Sequence, residues 1–166
     1  MLDIYTLSLT CQHDVHPTII QSIIAIESAG NPNALAIVGQ SHVKQPRTSQ
    51  AATRMMNALE ARDLNYSVGL MQINKHNFTR FGLNSTNAVS PCANISVGAR
   101  IIYDCYQRAK HTFPQYSYSA WRRFAASCYF SGNFHTGFHY PKQSIHYVTR
   151  FERAYQHQLT VYPTDK

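Results

Sequence analysis

The sequence predicts a mainly α-helical fold with at most a small β-hairpin, and three observations lead to this prediction. Apolar residues recur at helical spacing in five segments, helix-end residues bound several of these segments, and strand signals are weak throughout. The chain has 166 residues and 44% apolar content, enough for one domain with a real core. We therefore predict a single domain over residues 1–166, with no internal repeat and no low-complexity tract.

Three of the five predicted helices have local signals at their ends. The first has a proline placed to open it and a glycine placed to close it, and the third and fourth follow residues that can cap a helix, Asn94 and Ser119. A polar stretch with Pro46, residues 39–49, predicts an exposed loop before the second helix. In chain order the predicted helices are Pro17–Ala29, Gln50–Arg62, Ile95–Lys110, Ala120–Tyr129 and Gln143–Gln158.

The charge balance predicts an anionic partner. Fifteen Lys and Arg residues against eight Asp and Glu residues give a net charge of +7 at pH 7. Net charge governs steering and non-specific binding, so it does not choose among nucleic acid, acidic lipid and acidic cell-wall glycan. No helix-turn-helix, zinc-finger or RNA-recognition signature accompanies the charge, and we expect no nucleic-acid function.

No apolar run approaches the length of a transmembrane helix, so we expect no membrane-spanning segment. The first ten residues lack the basic start and long apolar region of a secretory signal. If the protein is exported, we expect its signal to have been removed already.

The four cysteines, Cys11, Cys92, Cys105 and Cys128, are disulfide candidates. They are spaced far apart, without the Cys-x-x-Cys pair of a zinc site or a redox motif, and we expect no metal site. Two bridges can be drawn in three ways, and the spacing does not choose among them. Four buried free thiols are the alternative.

Glu27 is the candidate general acid. It falls in the last turn of the first predicted helix, on the apolar face, four residues after Ile23 and seven after Ile20. Burial and the negative end of the helix dipole both disfavour a charged carboxylate, so we expect the pKa of Glu27 to be raised. Such a carboxylic acid keeps its proton near neutral pH and can donate it to a leaving group. The alternative is a solvated glutamate at a helix end.

Four short motifs occur in an order that resembles a known family. They are Glu-Ser-Ala-Gly-Asn-Pro at 27–32, Ser-Val-Gly-Leu-Met-Gln-Ile-Asn at 67–74, Pro-Cys-Ala-Asn-Ile at 91–95 and Cys-Tyr-Phe-Ser-Gly-Asn at 128–133. The combination resembles the lysozyme-like lytic transglycosylases, most closely the small branch associated with type IV secretion and conjugation. The resemblance runs from about Cys11 to Gly137, with the last predicted helix beyond it.

The resemblance implies a fold and a set of site residues. The fold would be lysozyme-like, as in goose-type lysozyme and the catalytic domain of soluble lytic transglycosylases. Glu27 would be the single catalytic acid in a cleft that binds a peptidoglycan glycan strand. Ser67, Gln72 and Asn74 would line that cleft, and Tyr129 matches a tyrosine close to the catalytic glutamate. From the residues alone, Gln72 could equally bond the backbone of its own turn, and Tyr129 could be a buried aromatic.

The residues also suggest how the bond is broken. Ser67 stands where animal-type lysozymes carry a second catalytic aspartate, and Asp63 is the one acid near this turn. Glycosidases normally use two carboxylates, about 5 Å apart in retaining enzymes. Without a second carboxylate, the substrate's N-acetyl group would stabilise the developing cation and its own 6-hydroxyl would attack. The product would be a 1,6-anhydromuramic end, formed without water and without a metal or organic cofactor.

Two alternative functions and the role of one residue stay open. A hydrolytic muramidase would need Asp63 or another acid to position water, and a non-catalytic glycan-binding assembly module would need no acid. Phe130 stands where an asparagine is common in the wider group, which leaves the role of this position open. The resemblance further implies a periplasmic location, peptidoglycan strands as substrate and an envelope-spanning secretion or conjugation machine as partner.

Overall fold

The computed structural model describes residues 2–12, 14–139 and 145–162. These residues form eight α-helices, a 3₁₀ turn at Lys75–Asn77 and three short β-strands. The helices are α1 Ile4–Thr10, α2 Pro17–Glu27, α3 Ser49–Ala61, α4 Phe78–Phe81, α5 Pro91–Thr112, α6 Tyr118–Ser131, α7 Thr136–His139 and α8 Tyr147–Val161. The strands are β1 Leu35–Ile37, β2 Tyr66–Val68 and β3 Ile73–Asn74. The predicted mainly α-helical fold class is confirmed.

The described residues divide into two compact units. The first comprises residues 2–12 and 27–98, and the second comprises residues 14–26, 99–139 and 145–162. The boundaries fall within two helices, after Ile26 in α2 and after Gly98 in α5. The prediction of a single domain stays a prediction.

The first unit contains the antiparallel sheet, in the strand order β1-β2-β3. The pair β2–β3 is the expected hairpin, and β1 adds a third strand whose Leu35 lies opposite Val68. The side chain of Gln45 binds the backbone of Leu35, because Nε2 donates to the Leu35 carbonyl at 2.8 Å and Oε1 accepts from the Leu35 amide at 2.9 Å. The buried apolar residues of this unit include Leu35, Met56, Tyr66, Val68, Leu70, Met71, Ile73 and Ile95.

The second unit contains helices and no strand among its described residues. Arg122 of α6 binds Glu152 of α8 through two hydrogen bonds of 3.0 Å, from Nε to Oε1 and from Nη2 to Oε2. Phe130 stacks on Tyr147, with ring centroids 4.7 Å apart. The buried apolar residues of this unit include Ile20, Ile23, Ile24, Ile102, Trp121, Val148 and Phe151.

The predicted helices are present, but two predicted caps are wrong. The third helix begins at Pro91 because a proline is well tolerated in the first turn, so Asn94 lies inside the helix and does not cap it. The fourth helix begins earlier than predicted, and the hydroxyl of Ser117, not Ser119, accepts from the Ala120 amide at its start. The predicted start of the last helix, Gln143, lies outside the described residues. Helices α1, α4 and α7, of four to seven residues, were not predicted.

All four cysteines form disulfides, one in each unit. Cys11 pairs with Cys92, with Cα atoms 5.0 Å apart, and Cys105 pairs with Cys128, with Cα atoms 5.7 Å apart. The structure therefore selects one of the three pairings that the sequence left open, and the alternative of four free thiols is wrong.

Candidate active site

Glu27 is the last residue of α2 and is half-buried. Its helix positions it on the same face as Ile20 and Ile23, both fully buried. The chain then leaves the helix through two residues with positive φ, Ala29 at 50° and Gly30 at 81°. Left-handed residues of this kind end helices, and the second of them is a glycine, for which this conformation carries no Cβ penalty. The predicted position of Glu27 in the last turn is confirmed, while its raised pKa stays a prediction.

The carbonyl just before Glu27 has a charged partner. Nη2 of Arg150, in α8, donates to the Ile26 carbonyl at 2.8 Å. The last four carbonyls of a helix have no partner within it, and a cation at that end is favourable. The two residues are 124 positions apart in the chain, so no local pattern could reveal this contact.

Ser28 connects the segment after Glu27 to the turn between β2 and β3. Its hydroxyl donates to the Leu70 carbonyl at 2.7 Å and accepts from the Gly30 amide at 3.2 Å. The family-like motif at 27–32 and the motif at 67–74 therefore meet through a direct hydrogen bond. Ser28 was quoted within a motif, but its positioning role was not predicted.

The turn from Gly69 to Gln72 depends on tight local geometry. Gly69 has φ of 86°, and a Cβ added there would lie 2.1 Å from Nδ2 of Asn94, which only a glycine avoids. Gln72 has φ of 51°, and its Nε2 donates to the carbonyls of Ala34 and Gly69, both at 3.0 Å. Gln72 thus holds its own turn, as the alternative interpretation expected, and its role in binding substrate stays a prediction.

Asn94 holds this turn from the other side. It is fully buried, its Oδ1 accepts from the Met71 amide at 2.8 Å, and its Nδ2 donates to the carbonyls of Val68 and Ala88 at 2.9 and 2.8 Å. A Cβ on Gly98 would lie 2.4 Å from the Met71 sulfur, so this helix glycine permits the close approach. Sequence reasoning placed Asn94 at a helix end because asparagine is a common cap, and it missed this role.

Ser67 and Asn74 lie opposite each other on β2 and β3. Nδ2 of Asn74 donates to the Ser67 hydroxyl at 3.2 Å and to Oδ1 of Asn65 at 2.9 Å. Both Ser67 and Asn74 are half-buried. The structure therefore brings together three of the predicted site residues, Ser67, Gln72 and Asn74, on one hairpin.

The remaining acids of the first unit have other partners. Asp3 caps α1 by accepting from the Thr6 amide, and the hydrogen bond from the Thr6 hydroxyl, followed by that from the amide, lowers the pKa of its carboxyl. Glu60 accepts from the Tyr66 hydroxyl at 2.8 Å, and burial followed by this bond raises the pKa of Tyr66 above its usual range. Asp63 is fully exposed and pairs with Lys75 at 3.3 Å.

Tyr129 belongs to the second unit, where it is half-buried in α6 next to Cys128. Its expected place near Glu27 stays a prediction. The neighbouring Phe130 packs its ring on Tyr147 of α8, so position 130 contributes to helix packing within its own unit.

No three His, Cys, Asp or Glu side chains in the described ranges lie close enough together to hold a metal ion. None of the helices formed by these residues combines the length and apolarity needed to cross a membrane.

Comparison with known proteins places the chain in a family. The family model described as "Transglycosylase SLT domain" matches residues 5–144. The type IV secretion system protein virB1 of Brucella abortus (strain 9-941) is 35% identical over 150 residues, which cover 90% of this chain and 63% of that protein. Protein virB1 of Agrobacterium fabrum is 33% identical over 160 residues, which cover 93% of this chain and 61% of that protein.

The chain thus spans somewhat less than two thirds of the length of these curated relatives. No solved structure matches it. The family match covers most of the chain and includes all four sequence motifs, at 27–32, 67–74, 91–95 and 128–133. The chain belongs to the transglycosylase SLT domain family, whose fold is lysozyme-like.

Proposed function

We propose that this protein is a peptidoglycan lytic transglycosylase with Glu27 as its single catalytic acid. It cleaves the β-1,4 bond between N-acetylmuramic acid and N-acetylglucosamine and leaves 1,6-anhydromuramic ends. The observation that supports this most is the position of Glu27. It ends α2, and the hydroxyl of the next residue, Ser28, donates to the Leu70 carbonyl in the turn of the hairpin that carries Ser67, Gln72 and Asn74.

The reaction needs two proton transfers and no water. Glu27 first protonates the glycosidic oxygen, so the bond to the anomeric carbon breaks and the N-acetylglucosamine side leaves as an alcohol. The N-acetyl group of the muramic residue stabilises the positive charge on the anomeric carbon. The Glu27 carboxylate then takes the proton of the 6-hydroxyl as that oxygen attacks the same carbon, which closes the anhydro ring and restores the acid.

We further propose that the enzyme works in the periplasm and opens the wall locally for a secretion or conjugation apparatus. The names of the relatives support this context, since the Brucella abortus relative is a type IV secretion system protein. Two disulfides also suit an oxidising compartment. The net charge of +7 favours approach to the acidic wall polymer.

The test is a digestion of purified peptidoglycan, followed by mass spectrometry of the muropeptides. The parent should give anhydromuropeptides, whose mass is lower than that of the hydrolysed products by the mass of one water molecule. Glu27→Gln keeps the shape of the side chain and removes the acid, so we expect the rate to fall roughly 10²- to 10⁴-fold.

Asp63→Asn is the matched control, because Asp63 is also an acid of the first unit but is fully exposed and paired with Lys75. We expect its rate and products to match those of the parent. Reducing-end products that disappear in Asp63→Asn would instead identify a hydrolytic muramidase. Glycan binding with no product from any variant would contradict the catalytic proposal.

A further inference from the structure

The second unit contains a cavity of about 330 Å³ that the proposed chemistry does not use. Its lining residues come from the segment that leads into α2 and from α5, α6 and α8. Ile19, the last lining residue on α2, precedes Glu27 by eight residues, roughly two helical turns. The cavity therefore does not include the helix end that carries the candidate acid.

The cavity has an apolar floor and tyrosine walls. Val15, Ile102 and Phe151 line it and are buried. The walls include Tyr103 and Tyr118, which are 36% and 75% exposed. Because both rings line the cavity and are accessible, they offer faces on which a ligand can stack.

The exposed wall is held in place by packing. The ring of Tyr118 contacts Trp121 edge to face at 5.3 Å, and Tyr106, a further wall residue, contacts the same indole at 6.3 Å. The indole N–H donates to the Phe113 carbonyl at 2.8 Å, which fixes the ring. A preorganised wall loses little conformational entropy when a ligand binds.

Hydrogen-bonding groups also line the cavity. Arg122 lines it with its guanidinium 4.1 Å from the centre of the Tyr155 ring, and its charge is balanced by Glu152. The ion pair engages Nε and Nη2, which leaves Nη1 outside the pair. Exposed Asp14 and Gln107 add a carboxylate and an amide to the lining.

This combination fits a neutral ligand with one apolar and one polar aspect. A pyranose ring stacks its C–H face on tyrosine, and its hydroxyls bind guanidinium, amide and carboxylate groups. An acetamido methyl group would be accommodated by the apolar floor. The volume lies near the lower end of ligand pockets, which span roughly 300–1,000 Å³, so it suits one ring and not an oligomer.

We infer that this cavity is a second carbohydrate site, which binds a single N-acetylhexosamine unit of the wall polymer. The choice of sugar rests on the proposed function, whereas the cavity and its chemistry do not. A site of this kind keeps the enzyme on the polymer between cleavage events, because a strand bound at two places dissociates more slowly than one bound at a single place.

Trp121 provides a direct test because it is the chain's one tryptophan and touches two wall tyrosines. The Glu27→Gln protein, in which turnover is prevented, is titrated with N-acetylglucosamine and tri-N-acetylchitotriose, with maltotriose as the control sugar. We expect a saturable change in tryptophan emission with both N-acetylated sugars and none with maltotriose.

Two variants locate the binding. Both are made in the Glu27→Gln background. We expect Gln107→Ala to weaken the sugar affinity at least threefold and Tyr118→Ala at least tenfold. The affinities are measured by calorimetry and by fluorescence. Both residues are exposed, so folding should be unaffected. Tyr5→Ala is the matched control, because Tyr5 is 37% exposed, belongs to the first unit and is not among the residues that line the cavity.

Three results would overturn the inference: no saturable response to either N-acetylated sugar, a response that both lining variants leave unchanged, or saturation by N-acetyltyrosinamide and by no sugar. The last result would assign the cavity to an aromatic peptide side chain. Product formation by the protein with Glu27 intact is measured separately, so loss of the cavity site and loss of the transglycosylase activity are distinguished.

Discussion

The two units stabilise their structures by different means. In the first unit, polar side chains bond to the backbone, as with Ser28, Gln45, Gln72 and Asn94. In the second unit, rings pack on rings, as when Phe113 contacts Phe124, Phe134 and Tyr116 at centroid distances of 4.7, 5.5 and 5.9 Å.

The difference follows from the backbone. Short strands and left-handed turns leave carbonyl and amide groups without ladder partners, and buried groups of this kind need a partner from a side chain. Helices bond their own backbone, so their side chains are free to pack apolar surface. The candidate acid and hairpin therefore depend on hydrogen bonds that a single substitution can remove, whereas the aromatic packing of the second unit is spread over many residues.

The largest expected effect comes from removing each disulfide. The Cys11–Cys92 bridge closes a loop of 81 residues and the Cys105–Cys128 bridge one of 23. Each bridge lowers the entropy of the unfolded chain, which stabilises the folded protein by about 4.5 kcal/mol for the longer loop and about 3.4 kcal/mol for the shorter one. For each pair, the variant with both cysteines replaced by alanine is unfolded in guanidinium. The variant without the Cys11–Cys92 bridge should lose more free energy of unfolding than the variant without the Cys105–Cys128 bridge. A larger loss from the shorter loop would mean that local packing in the second unit, and not loop length, sets the cost.

Asn94→Ala should have the next largest effect. It leaves the Met71 amide and the Val68 and Ala88 carbonyls buried without their partner, so we expect a loss of about 3 kcal/mol in the free energy of unfolding. Formation of anhydromuropeptides should fall as well, because the turn that carries Gln72 is released. Asn57→Ala, at an exposed position of α3, is the matched control and should change stability by less than about 0.5 kcal/mol.

The opposite result would be informative. If Asn94→Ala unfolds at the same denaturant concentration as Asn57→Ala, the turn has other support and the contrast drawn between the units fails.

The sequence predicted what local patterns can encode. Helices of eleven residues or more repeat their apolar spacing over several turns, so all of them were recognised. Strands of two or three residues are too short to show alternation, and β1 was therefore missed. Glu27 could be selected because its charge interrupts an isoleucine-rich face.

The remaining features depend on contacts between distant residues. Asn94 reaches 23 positions back to Met71, and its local context suggested a cap. The side chain of Gln45 donates to the Leu35 carbonyl of β1. Its position in a polar loop had predicted only that the residue is exposed. Which cysteines pair depends on which elements the fold brings together, so the spacing could not decide it.

The smallest expected effect concerns the end of α2, just before Glu27. It tests whether one charged hydrogen bond stabilises the second unit, in which rings pack on rings. Arg150→Ala removes the donor to the Ile26 carbonyl and a cation from the end of α2, so we expect a loss of about 1–2 kcal/mol in the free energy of unfolding. Arg150→Lys should recover part of it, because the charge remains. Arg153→Ala, at an exposed position of α8, serves as the control. Equal stability of Arg150→Ala and Arg153→Ala would show that water replaces the guanidinium without cost and that this hydrogen bond does not stabilise the second unit.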